Sequence, residues 1–212
     1  RCIGEIEGDL ESSRAMNRLV QGDVGSGKTA VAEAAMYKAV RGGCQAVMMA
    51  PTEILAHQHF EGLRKSFAAH GIRVGFLSGS LKASEKREIL EQLKDGQIDI
   101  LVGTHAVIQP EVEFARLGLV ITDEQHRFGV NQRIRLKEKG QNPNVLVMTA
   151  TPIPRTLAVV LYGDLDVSVL DEMPPGRQVI KMRNVTGEKR EAGYDFVEKQ
   201  LQQGRQAYVV TP

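Results

Sequence analysis

Gly22-Asp23-Val24-Gly25-Ser26-Gly27-Lys28-Thr29 is the stretch on which the fold turns. It matches the phosphate-binding pattern G-x-x-x-x-G-K-[ST] at every fixed position. Glycines at 22, 25 and 27 let the backbone curl tightly and turn its N–H groups inward against an anion. Leu19 and Val20, just before the loop, read as the end of a buried strand. Ala30 to Val40, just after it, is alanine-rich and reads as a helix. The loop therefore joins a strand to a helix N-terminus, where free N–H groups and the helix dipole favour phosphate. On this reading Gly22, Asp23, Val24, Gly25, Ser26, Gly27, Lys28 and Thr29 cradle a nucleotide. Lys28 reaches its outer phosphates and Thr29 holds Mg²⁺. A glycine-rich turn that binds nothing is the bland alternative, and the strand before and helix after argue against it.

The rest of the composition sets bounds. The chain has 212 residues and is 42% hydrophobic, enough for a proper core. Its 27 Lys and Arg against 26 Asp and Glu leave no global basicity, so any case for nucleic acid must come from local motifs. Cys2 and Cys44 have neither metal-ligand spacing nor a disulfide framework, which fits a reducing cytoplasm. No apolar run approaches membrane-spanning length, so no membrane partner is expected. The chain starts at Arg1 and stops at Thr211-Pro212 directly after an apolar run, so a piece of a longer protein is expected.

Ile3, Ile6 and Leu10 recur at spacings of three and four, one face of an amphipathic helix over residues 1–13. Thereafter apolar runs alternate with helical segments. The runs are Leu19-Val20, 46–50, 74–77, 98–102, 119–121 and 145–148, with a further short one within 161–170. The helical segments include 53–69, 83–95 and 130–139. Strands buried on both faces and separated by helices predict an α/β fold with a mostly parallel sheet flanked by helices. Six of the runs lead into polar clusters, and ligands of such sheets bind beyond the strands' carboxyl ends. Pro174-Pro175-Gly176 breaks the pattern, so residues 1–173 read as one domain and 174–177 as a linker. Residues 178–212, with a strand at 179–185, a helix at 189–203 and an apolar run at 207–210, read as the truncated start of a second α/β domain.

Asp123 and Glu124 follow the run Leu119-Val120-Ile121. A strand ending in two acids fits the metal-side partner of a phosphate loop. Asp123 would hold Mg²⁺ through water, and Glu124 would polarise the attacking water as general base. Adjacent side chains on a strand point opposite ways, so the pair works only if the chain turns there, as Gly129 permits. Alone, an Asp-Glu pair is more often a solvated loop; beside a full phosphate loop it reads as hydrolysis of ATP or GTP.

Asp123-Glu124-Gln125-His126 resembles the D-E-x-H box of superfamily two helicases and translocases. Thr149-Ala150-Thr151-Pro152 resembles their third motif, and 51–56 and 103–105 resemble their motifs Ia and Ib. The longer strings 123–130 and 148–156 resemble the RecG family of bacterial DNA helicases, with Mfd-type translocases the nearest relatives; 170–177 favours the former. The resemblance covers essentially the whole chain. It implies a RecA-like first motor domain, the opening of a second, ATP and Mg²⁺ as cofactors, and branched or duplex DNA as partner. A monomer in the bacterial cytoplasm, associated with the nucleoid, is expected. The catalytic set it implies is Lys28, Asp123, Glu124 and His126, with His126 linking nucleotide state to Thr149 and Thr151.

Thr52, Thr104, His105 and Arg155 are the candidate contacts to the DNA backbone. Each has a plainer reading: Thr52 as a helix cap, Arg155 as a surface arginine, the others as loop residues. His57, His59 and His70 show no constellation and are assigned to surface or capping roles, and Cys44 with Met48-Met49 to the core. Three other functions stay open at this point: a Mfd-like duplex translocase, an isolated nucleotide-binding module, and a small-molecule kinase, against which the acidic box and T-A-T motif argue.

Overall fold

Along each apolar run, successive side chains must face opposite sides of a sheet, so a run without polar residues needs cover on both faces. The computed structural model, which describes residues 1–123, 135–151, 165–172, 182, 184–187 and 190–210, provides that cover. Its elements in chain order are α1 (Cys2–Glu11), β1 (Asn17–Gly22), α2 (Lys28–Arg41), β2 (Gln45–Met49), α3 (Glu53–Phe67), β3 (Val74–Leu77), α4 (Ala83–Lys94), β4 (Ile100–Gly103), β5 (Leu117–Thr122), β6 (Asn144–Thr149), β7 (Asp166–Leu170) and α5 (Arg190–Gln202).

Among the described residues the strands form one seven-stranded sheet in the order β3-β4-β2-β5-β6-β1-β7. Every pairing is parallel. The fold class read from the sequence therefore holds. One apolar layer takes Val20, Ala46, Met48, Leu119, Ile121, Leu146 and Met148 from the strands, together with Ile6, Met36, Ala56, Leu63 and Phe67 from the helices. The other takes the alternate residues Leu19, Val47, Met49, Leu101, Val120, Val145 and Val147 with Leu93 of α4.

Arg18 is a polar exception beneath β1. Its guanidinium donates to Asp9 Oδ2 at 2.6 Å, to Ser168 Oγ at 2.8 Å and to Glu5 Oε2 at 3.3 Å. One buried cation thus ties α1 to β1 and β7. Ser168 also donates to Glu5, and this hydrogen bond, more than the nearby arginines, holds the Glu5 carboxyl below its ordinary range.

The chain divides into two compact units, Arg1–Pro174 and Pro175–Pro212. In the second, the helix expected at 189–203 appears as α5. The strand expected at 179–185 lies mostly outside the described residues. Residues 207–210, read as an apolar, strand-like run, have no regular structure, and Tyr208, Val209 and Val210 are exposed. A strand needs a neighbour for its backbone N–H and C=O groups, and the described residues of this unit offer none. Among the described residues no helix is long and apolar enough to cross a membrane.

Candidate nucleotide site

The carboxyl edge of the sheet gathers the polar clusters. β1 ends at Gly22 and hands over to the loop; α2 then starts at Lys28, with Gly27 as its N-cap. Gly25 and Gly27 have φ of 81° and 93°, a left-handed backbone that favours glycine. A Cβ added to Gly27 would meet nothing within 4 Å, so that side of the residue is open. Gly22 is the opposite case: an added Cβ would lie 2.5 Å from Ser26 Oγ and 2.9 Å from Leu170 Cβ, so the loop's first residue is wedged against β7. The turn is held by Ser26 N–H donating to Asp23 O at 3.1 Å and Val24 N–H donating to Asp23 Oδ1 at 2.7 Å. Lys28 Nζ bends over the loop and donates to the carbonyls of Gly22 and Asp23, each at 2.8 Å. Its ammonium therefore sits over the loop's own backbone.

β5 ends two strands away, with β6 between. Gln21 pairs with Thr149 and Thr122 pairs with Val147, so all three strands run out at the same edge. At the usual strand spacing the ends of β1 and β5 stand about 10 Å apart. Asp123 follows Thr122 directly and its N–H still donates to Met49 O of β2 at 3.0 Å. Thr149, at the tip of β6, is buried, and its Oγ1 accepts from Thr151 N–H at 3.1 Å, a local turn hydrogen bond.

The oxygen donors at this edge suit a hard cation. Thr29 offers an exposed hydroxyl and Asp123 a carboxylate, the ligand types Mg²⁺ takes. Ser26 Oγ is buried with no hydrogen-bond partner among the described residues, an orphaned polar atom inside the loop. Among the described residues no cluster of three or more His, Cys, Asp or Glu is placed to hold a metal by itself. Mg²⁺ does not require one, because it keeps water and takes phosphate oxygens alongside one or two protein ligands.

Thr52 and Thr104-His105 stand on the other half of the same edge, after the neighbouring strands β2 and β4. Ala50 N–H donates to Gly103 O at 2.9 Å, which brings the two turns together. Thr52 is also the cap of α3: its Oγ1 accepts from Leu55 N–H at 3.3 Å. Thr104 precedes a one-turn 3-10 helix at His105–Ile108. Glu53, next to the cap, accepts hydrogen bonds from Ser78 and Ser80, so the polar cluster after β3 is engaged in holding α3. Glu124, His126 and Arg155 lie outside the described residues.

One contact at the site had no sequence signal. His59 of α3 meets Asp123, Nε2 to Oδ2, at 2.8 Å, with both side chains 13% exposed. The reading of His59 as a surface or capping residue is therefore corrected. His59 lies seven residues beyond Thr52, two helical turns, and so falls on the face of α3 that carries Ala56 and Leu63 into the core. Nothing local in the sequence links it to an aspartate 64 residues further on.

Known proteins place this arrangement. A family model described as DEAD/DEAH box helicase matches residues 8–160. The chain is 56% identical over its whole length to the ATP-dependent DNA helicase RecG of Bacillus subtilis and 55% identical to that of Streptococcus pneumoniae, covering 31% of each. It thus spans about a third of the length of these relatives. A solved structure of RecG bound to a three-way DNA junction superposes over the whole chain with a TM-score of 0.86 and 47% identity, the chain covering 28% of it. The helicase domain of Pyrococcus furiosus Hef shares the fold at 19% identity, with a TM-score of 0.59 over 94% of the chain and 45% of that domain. The chain belongs to the DEAD/DEAH box helicase family, and within it is similar to the RecG helicases.

Proposed function

We propose that the chain is the motor core of an ATP-dependent DNA helicase or translocase that works on branched DNA, in reactions such as fork reversal and branch migration during repair. The observation that carries this reading is the shared edge: the loop after β1 and Asp123 after β5 flank the tip of β6. Residues 1–173 act as the first motor domain, 174–177 as the linker and 178–212 as the opening of a second.

The division of labour follows from charge. Loop N–H groups from Gly22 to Thr29 and the α2 N-terminus bind the phosphates. Lys28 moves from its loop carbonyls onto the outer phosphates, where its charge offsets the charge that builds up as the terminal phosphoryl group leaves. Thr29 and Asp123 would hold Mg²⁺, which when bound would supply charge neutralisation for the phosphates. Glu124 orients and polarises the attacking water, and His126 connects this chemistry to Thr149 and Thr151. Thr52, Thr104, His105 and Arg155 touch the DNA backbone, which fixes position without reading sequence. The protein works as a monomer in the bacterial cytoplasm, close to the nucleoid.

ATP hydrolysis by the full-length protein, measured without DNA and with forked, duplex and single-stranded DNA, tests this. The expected result is strong stimulation, greatest with the fork. Stimulation greatest with unbranched duplex would point to a Mfd-like translocase. Hydrolysis indifferent to all DNA would refute the motor reading.

A further inference from the structure

Asp123 meets a side chain of α3 through one of its carboxylate oxygens. His59 Nε2 lies 2.8 Å from Oδ2. A carboxylate oxygen accepts, so in this pair the ring nitrogen serves as the donor. Resting on the reading of Asp123 as the Mg²⁺-side carboxylate, we propose that His59 is a positioning residue. It holds Oδ2 and thereby sets the orientation of the Asp123 carboxylate toward the metal.

Three features support this. The pair is largely out of water, at 13% side-chain exposure each, so the hydrogen bond does not compete with bulk solvent at every opening. The donor cannot drift: α3 is anchored on the same face by Ala56, Leu63 and Phe67, which are 0%, 1% and 4% exposed. The acceptor's backbone is fixed as well: Asp123 is the first residue past β5, and its N–H donates to Met49 O at 3.0 Å. Outer partners that orient a ligating side chain commonly matter about 10–100-fold for metal affinity.

α3 is also the helix capped by Thr52. The element that fixes the metal-side carboxylate therefore begins among the proposed DNA contacts.

The test is a MgCl₂ titration of the full-length protein with a fluorescent ATP analogue, following binding rather than turnover. Wild type is compared with His59→Leu, His59→Gln and Lys28→Ala, each also measured in EDTA. His59→Leu should raise the Mg²⁺ concentration for half-maximal tight binding about tenfold or more. Its affinity in EDTA should stay within about twofold of wild type. His59→Gln, whose amide nitrogen can stand where Nε2 stands, should recover most of the loss. An unchanged Mg²⁺ requirement in His59→Leu, or equal weakening with and without Mg²⁺, overturns the inference. If that happens while Lys28→Ala loses binding, the nucleotide site itself still stands. If Lys28→Ala binds as wild type does, the site and the inference fall together.

Discussion

Replacing Gly27 with alanine separates what the loop does for folding from what it does for phosphate. Gly27 has φ of 93° and an added Cβ would meet nothing within 4 Å, so the methyl group clashes with no protein atom. The folding cost is then the left-handed backbone alone, about 1–2 kcal/mol for an L-residue. For a domain of this size that lowers Tm by about 2–8 °C. Binding has more to lose. On the proposed function, phosphate comes against the N–H groups of the helix start on the open side of Gly27, and a methyl there would keep it at a distance. Loss of one charge-assisted hydrogen bond, at about 1.5–3 kcal/mol, weakens ATP roughly 10- to 150-fold. A thermal melt and a titration with fluorescent ATP on the same preparation read both numbers. ATP affinity within twofold of wild type, at the expected Tm, would refute the reasoning: the space beside Gly27 would not be the phosphate's. A fall in Tm beyond about 15 °C would refute it differently, by showing that the methyl does clash.

Gly103→Ala should behave in the reverse way. Its Cβ would fall 2.1 Å from Leu77 O and 2.7 Å from Val107 Cγ1, so β4 must part from β3. A loss of about 3 kcal/mol in urea unfolding is expected, and a loss under about 1 kcal/mol contradicts the packing described. Arg18→Met removes the cation shared by Asp9 and Glu5, whose side chains are 25% and 32% exposed. Because water reaches both carboxylates, the expected cost is about 2 kcal/mol rather than the larger penalty of a sealed pair, again read by urea unfolding. Glu5 also sets a pH dependence. Its carboxyl is held below the ordinary range by the Ser168 hydrogen bond. The unfolded chain therefore binds that proton first, and the contribution is fully present above about pH 5 and lost as pH falls below about 4.3. Ser168→Ala should make the unfolding midpoint less sensitive to acid over that range; an identical acid profile would show that the hydrogen bond contributes nothing.

Much of the fold was legible because its signals are local. Runs such as Ala46-Val47-Met48-Met49-Ala50 have no polar face, and only a strand covered on both sides tolerates that. The alanine-rich segment after Lys28 has one strong preference, helix, though α2 takes in Lys28 and Thr29 as well. The phosphate loop was visible for the same reason: glycine spacing, strand and helix are all adjacent in the chain. What stayed hidden depends on distance. The Arg18 cluster joins residues 9, 13 and 150 positions apart, and His59 reaches Asp123 across 64. A single histidine or arginine carries no mark of such a partner. The run at Ala207–Val210 misled in the other direction, since β-type composition makes a strand only where a neighbour pairs with it.

The central claim is that Lys28 and Asp123 act on one nucleotide and its metal. A double-mutant cycle on Mg²⁺-dependent ATP binding, with Lys28→Ala, Asp123→Ala and both together, measures that directly. Residues that serve one ligand couple, so the double variant should lose at least about 1 kcal/mol less than the sum of the two single losses. Losses that add to within about 0.5 kcal/mol would mean that the two groups work independently, and the shared site would be contradicted.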